Sequence, residues 1–233
     1  MTRINELSEK YPRFGYRKIH YKLKEEGWHV GREDVRLIRK VQGLQVIRKG
    51  KKRRLLGSDP GELGKAQYPH DIWSYDLVMD QTADGRRLKF LTIVDEYTRY
   101  GLATFVSRSI TAGHVRSVLK DLFAQWGLPT HIKSDNGPEF IAQDIQRWLK
   151  ETGVKTHFIE PGSPWQNGHN ESFNAVFRDG CLDRWLFYSV QEARRVTESW
   201  LHEYNQERPH GSLGGQTPEV FMKSHQVAAE QAA

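Results

Sequence analysis

A small basic helical region followed by a larger α/β domain is predicted by three features of this sequence. Its positive charge is gathered at one end, residues 16–42 carry helical periodicity broken once at Gly27, and from residue 70 onward strands are followed by alternating helices and strands. Net charge is +6 over 233 residues, but residues 1–56 hold 17 Lys and Arg against 6 Asp and Glu, whereas the remainder holds 18 against 23. Clustered cations bind phosphates by releasing counterions, so the N-terminal quarter reads as a nucleic-acid-binding arm. With 37% hydrophobic and 11% aromatic residues the chain can build a real core, which excludes a disordered protein.

No apolar run approaches the roughly 18 to 20 residues a membrane span requires, and MTRINELSEK lacks the apolar stretch of a signal peptide. A cytoplasmic protein with no membrane partner is expected. The single cysteine, Cys181, excludes an internal disulfide framework and multi-cysteine zinc sites, and reads as a small buried side chain.

The elements follow in chain order. Tyr16, Ile19 and Leu23 set a helix over 16–26, Gly27 breaks it, and Val35, Ile38 and Val41 set a second over 32–42. This is a helix-turn-helix outline whose second helix would turn Arg32, Arg36, Arg39 and Lys40 toward DNA. The run from Arg48 to Arg54, including Lys51, Lys52, Arg53 and Arg54, adds to the DNA-facing charge. LGSDPGELG then reads as linker, which divides the chain into a basic DNA-binding region at 1–56, a linker at 57–69 and a core at 70–233.

In the core, HDIWSYDLVMD reads as a strand interrupted by Asp76, a residue type depleted in strand interiors. Asp84-Gly85 signals a hairpin into LKFLTIVDEYTRY, and GLATFVS makes a third antiparallel strand. A helix over about 111–126, a short strand ending at Asp135, a helix over 138–151, the strand VKTHFIE, and the loop PGSPWQNGHN follow. ESFNAVFRDGCLDRWLF reads as a helix sustained from Phe173 to Leu186, with Glu171 in its first turn. A mid-helix Gly180 weakens it by about 1 kcal/mol relative to Ala. A long helix from about Val190 ends at Pro209.

Asp76 in mid-strand, Asp135 just past another strand and Glu171 at a helix start can all face one edge of a sheet. Converging carboxylates repel and need cations, and hard oxygen ligands favour Mg²⁺ or Mn²⁺, two of which can serve phosphodiester displacement.

WSYDLV, SDNGPEF, GSPWQNGHNESFN and YNQERPH together resemble the catalytic domain of bacterial insertion-sequence transposases, the second-reading-frame type related to retroviral integrases. Thirty-five residues separate Asp135 from Glu171, the interval of that family's D,D(35)E signature, and Arg178 stands seven residues after Glu171 where the family carries Lys or Arg. YPRFGYRKIHYKLKEEGW is similar to the helix-turn-helix stretch preceding that core. The resemblance implies a ribonuclease-H-like core with a mixed five-stranded sheet flanked by helices. It implies Asp76, Asp135 and Glu171 as catalytic acids holding Mg²⁺ or Mn²⁺, two ions when DNA is bound, and Arg178 as a phosphate contact. Asn167 and Asn174 either touch DNA or cap and orient the loop. It further implies cleavage and strand transfer of element ends, double-stranded DNA as partner, a homo-oligomer on DNA, association or fusion with the first-frame product, and a nucleoid-associated protein. A retroviral-type integrase, which needs a His and Cys zinc domain, is disfavoured by the lone cysteine. A non-catalytic DNA-binding protein is the alternative of a different class.

Overall fold

The computed structural model describes residues 2–46, 64–135, 137, 140, 142–160 and 164–232, arranged as two compact units. Lys51, Lys52, Arg53 and Arg54 lie outside the described residues, as does most of the expected linker.

The first unit contains α1 (Thr2–Lys10), α2 (Tyr16–Glu25) and α3 (Arg32–Val41). The two expected helices are present within one residue of their predicted limits. Gly27, at φ 85°, supplies the left-handed turn after α2 that a side chain would resist. Helix α1 had no sequence-level prediction, because only Ile4 and Leu7 mark its buried stripe. Those two close a core with Tyr11, Phe14, Ile19, Leu23 and Val35. The segment Glu207–Thr217 also belongs to this unit. Glu207 accepts from Tyr11 and lies 3.1 Å from Lys10 Nζ, and the Arg208 guanidinium stands 5.6 Å from the centre of the Phe14 ring. Gly215 (φ 94°) is held so close that an added Cβ would come within 2.3 Å of the Tyr21 ring.

The second unit is built on β1 (Ile72–Gln81), β2 (Arg87–Asp95), β3 (Gly101–Ser107), β4 (His131–Ser134) and β5 (Lys155–Phe158). Its helices are α4 (Ala112–Trp126), α5 (Gln143–Glu151), α6 (Gly168–Gly180), α7 (Val190–Gln206) and α8 (Pro218–Ala232). The sheet order is β3-β2-β1-β4-β5. β1, β2 and β3 pair antiparallel, whereas β4 joins β1 and β5 joins β4 in parallel. This is the predicted mixed five-stranded sheet with helices. Alternate residues divide its core in two. Trp73, Tyr75, Leu91 and Ile93 pack with α4 and α5 residues such as Leu119 and Ile145. Val78, Phe90 and Val94 pack with Phe173, Phe177 and Trp200 from α6 and α7.

Two expected helices differ in extent. Within the helix expected over 138–151, α5 runs from Gln143 with Ala142 at its N-cap, and Pro138, Glu139 and Ile141 lie outside the described residues. The helix expected to run on toward Leu186 ends at Gly180, and Leu182–Arg184 forms a separate 3-10 turn. Leu182 and Phe187 are buried while Trp185 and Leu186 are exposed, so an apolar pattern that looked helical is divided between core and surface. Gly180 is a packing residue: an added Cβ would sit 2.9 Å from Trp200 Nε1.

β3 is tied to α7 by one side chain. The buried Asn205 amide donates to Gly101 O and accepts from Gly101 N, both at 2.8 Å. Asn205→Ala strands both backbone groups and lowers stability by about 2 to 3 kcal/mol; urea unfolding measures the loss.

Candidate active site

Asp76 sits in the middle of β1 on the face covered by α6, the parity of Ser74 and Val78. Its Oδ1 accepts from the Leu77 amide at 2.7 Å. Its Oδ2 accepts from Asn174 Nδ2 at 2.8 Å, and Asn174 Oδ1 in turn accepts from Thr92 Oγ1 at 2.9 Å. Asn174, expected either at DNA or as a loop orienter, is therefore committed to the carboxylate of Asp76 and ties α6 to β1 and β2.

β4 brings the second acid alongside. Ile72, Trp73 and Ser74 pair with His131, Ile132 and Lys133, and continuing that parallel register by two residues brings Asp76 level with Asp135. Asp135 is exposed at the strand's carboxyl end, and its Oδ1 accepts from Gly137 N at 3.1 Å. Glu171 occupies the first turn of α6, half-buried.

Asp76 senses the other two acids. Burial, followed by the charges of Asp135 and Glu171, pushes the Asp76 carboxyl up to about 6, against the opposing hydrogen bonds from Leu77 and Asn174. The structure brings the acids to one edge of the sheet but does not gather them fully: among the described residues no three His, Cys, Asp or Glu side chains form a group able to hold a metal ion. The donor chemistry nevertheless fits a hard divalent cation. All three groups offer carboxylate oxygens, and the charges of Asp135 and Glu171, which add to the burial that raises Asp76, are what a cation would offset.

The surroundings divide the other expected residues. Arg178 is exposed on α6, with Nη2 donating to Met79 O at 3.0 Å. Asn167 directly precedes α6, and its buried Oδ1 has no partner among the described residues. Asn170, which sequence reasoning did not single out, is fully buried beside Glu171 with neither amide atom partnered among the described residues.

In the first unit, Arg32 and Lys40 are exposed and Arg36 is half-buried against Glu33 at 2.6 Å. Arg39 is a correction. Only 3% exposed, it donates to Phe14 O and Leu44 O at 2.7 Å each, and burial lowers its pKa. Its place four residues after the core residue Val35 turns it inward, a signal the sequence carried. Arg17 and Lys18, not singled out beforehand, join Arg32 and Arg36 in lining a cavity of about 890 Å³ within this unit.

Residues 66–164 and 152–218 match two families each described as an integrase core domain, and residues 1–52 match an HTH-like domain. A 31.7 kDa protein of insertion element IS407 from Burkholderia multivorans is 34% identical over 229 residues, covering 98% of this chain and 82% of that protein. A 39.2 kDa protein of IS476 from Xanthomonas euvesicatoria is 36% identical, covering 97% of this chain and 65% of that protein. The catalytic core domain of HTLV-2 integrase, solved in complex with magnesium, aligns with a TM-score of 0.54 at 18% identity over 68% of this chain and 99% of that one. A simian T-cell lymphotropic virus intasome chain aligns at 0.60 and 16% identity over 94% of this chain and 74% of that one. These likenesses establish a ribonuclease-H-like integrase fold. Together with a relative of this identity and coverage, they complete the assignment: the chain belongs to the insertion-element transposase family, with an HTH-like region and an integrase core.

Proposed function

We propose that this protein cuts the DNA ends of its insertion element and joins them to new DNA, with Asp76, Asp135 and Glu171 as the catalytic acids. The observation that carries this reading is the β1–β4 register that sets Asp76 level with Asp135, with Glu171 near enough that its charge and that of Asp135 add to the burial raising the Asp76 carboxyl. These residues would hold Mg²⁺ or Mn²⁺, two ions with DNA in place, which when bound supply activation of an attacking oxygen and stabilisation of a leaving one.

The chain's own residues do the rest. Asn174 fixes the orientation of the Asp76 carboxylate through its 2.8 Å bond. Burial around Asp76 excludes competing water and favours its neutral form until a cation or higher pH ionises it. Arg178, exposed two helical turns beyond Glu171, is positioned to take a phosphate of the same strand. In the cleavage step a water oxygen bonds to phosphorus and the element's 3′ oxygen leaves as a hydroxyl. In the joining step that hydroxyl oxygen bonds to a phosphorus of the target, whose own 3′ oxygen departs with the proton. One phosphodiester is exchanged for another, so joining needs no external energy source.

Arg17, Lys18 and Arg32 of the N-terminal unit supply phosphate contacts to the duplex, and their cavity suits a backbone segment. The partners are double-stranded DNA at the element ends and target, further copies of the chain to hold two ends, and the first-frame product as fusion or companion. No described helix is long and apolar enough to cross a membrane.

Three outcomes test this. Asp135→Asn lowers cleavage and joining of labelled element-end DNA by about 100-fold or more while end binding stays within a few-fold; unchanged turnover with Mg²⁺ or Mn²⁺, with or without the first-frame product, removes the proposed role. Arg17→Ala/Arg32→Ala weakens DNA binding across sequences and reduces the slope of log affinity against log salt by about two. Asp76 has its pKa raised on folding, so its stabilising contribution is complete below about pH 3.8 and disappears as pH rises through about 6. Asp76→Asn accordingly stabilises the protein in chelator at pH 7 by about 1 to 3 kcal/mol, and that gain vanishes by about pH 4 in thermal melts.

A further inference from the structure

A buried polar cluster lies one layer below the proposed acids, and its members stand in regular relation to them. Ser74, Lys133 and His169 are each two residues upstream of Asp76, Asp135 and Glu171 respectively. All three converge on Glu96, which is 2% exposed. Ser74 Oγ donates to Glu96 Oε1, Lys133 Nζ pairs with the same oxygen, and His169 Nε2 lies 3.8 Å from Oε2. Ser74 and Lys133 are themselves 0% and 4% exposed.

The turn that carries Glu96 is held rigidly. Asp95 Oδ1 accepts from the amides of Tyr97 and Thr98 at 2.8 and 2.9 Å, and Asp95 Oδ2 accepts from His70 N at 2.6 Å. Glu96 N donates to Ile72 O at 3.0 Å, which fastens the turn to the start of β1. Arg99, in the left-handed region at φ 62°, donates from Nη1 to the His169 ring. A non-glycine residue in that region is sparsely populated and persists only where its surroundings hold it.

Side chains of like parity on a strand share a face, so Ser74 and Asp76 rise on the same side of β1. A fixed point beneath Ser74, Lys133 and His169 therefore sets the heights of three chain segments at once. We propose that Glu96 is a positioning residue for the metal-binding acids: through Ser74, Lys133 and His169 it sets β1, β4 and the first turn of α6 relative to one another, and so fixes how readily Asp76, Asp135 and Glu171 close on divalent ions. Glu96 touches neither DNA nor the reacting atoms in this role. The inference rests on the reading of those three acids as metal ligands.

The test is Mn²⁺ alone, titrated into the full-length chain with the free-ion signal followed by electron paramagnetic resonance. Glu96→Leu/Lys133→Met removes both buried charges together, a replacement that often leaves stability near neutral. It is expected to unfold cooperatively like the parent yet bind Mn²⁺ about tenfold more weakly, a shift of about 1.4 kcal/mol. Ser74→Ala, a gentler change, is expected to weaken Mn²⁺ about threefold and decides the matter if the double variant does not fold. A folded double variant, or failing that Ser74→Ala, binding Mn²⁺ within the error of the parent overturns the proposal and leaves Glu96 as a stabilising ion pair only. Asp135→Asn in the same titration separates the two levels. If it loses Mn²⁺ while the Glu96 and Ser74 variants keep it, only the positioning role falls. If it too binds as the parent does, the reading of the acids falls with it.

Discussion

The parallel pairing of β1 with β4 is the constraint on which the placement of Asp76 beside Asp135 depends. Parallel strands cannot be joined by a tight turn, and here the connection takes in β2, β3 and α4 before the chain returns as β4. Once it returns, the register of Ile72 with His131 places Asp76 and Asp135 at the same height on neighbouring strands. A slip of one residue would reverse the face each side chain takes. The hydrophobic division of β1, with Trp73 and Tyr75 on one side and Val78 on the other, is what makes such a slip expensive.

The third acid depends on a different kind of force. α6 is held by Phe173 and Phe177 in the aromatic core, where Phe177 packs edge-on against Phe90 at 5.6 Å and Phe173 against Trp200 at the same distance. Those edge-on contacts favour particular ring angles, and a hydrogen bond on the polar side of the helix adds a finer constraint. That finer element is Asn174, whose amide must meet both Asp76 and Thr92. Apolar burial thus supplies most of the adhesion, and one polar side chain on the same helix refines the angle.

Charge is unevenly distributed between the two units. In the first unit Arg39 is spent on the carbonyls of Phe14 and Leu44, where it closes the helical pair, while Arg17, Lys18, Arg32 and Lys40 retain solvent-facing or cavity-lining positions. In the core, Asp76 is held against the preference of a carboxyl for solvation, with Asp135 at the end of the neighbouring strand.

The sequence by itself determined the order of the core elements from β1 to α7, the helical pair, the hairpin at Asp84-Gly85 and the identities of Asp76, Asp135 and Glu171 as an unusual set, because periodicity, turn chemistry and local propensity are properties of short segments, whereas α1 and α8 went unread. Tertiary structure decided which polar residues serve those elements, even where, as for Arg39, helical spacing carried a hint. Arg39 is turned inward by the packing of α3, Gly180 is required by Trp200, and Asn174 is drawn to a carboxylate 98 residues away. Glu96 offered no signal at all, since its partners Ser74, Lys133 and His169 are distant in the chain and meet it only after the sheet has formed. Hydrogen bonds of a few ångströms between residues far apart in sequence are fixed by three-dimensional register, and no one-dimensional pattern encodes that register residue by residue.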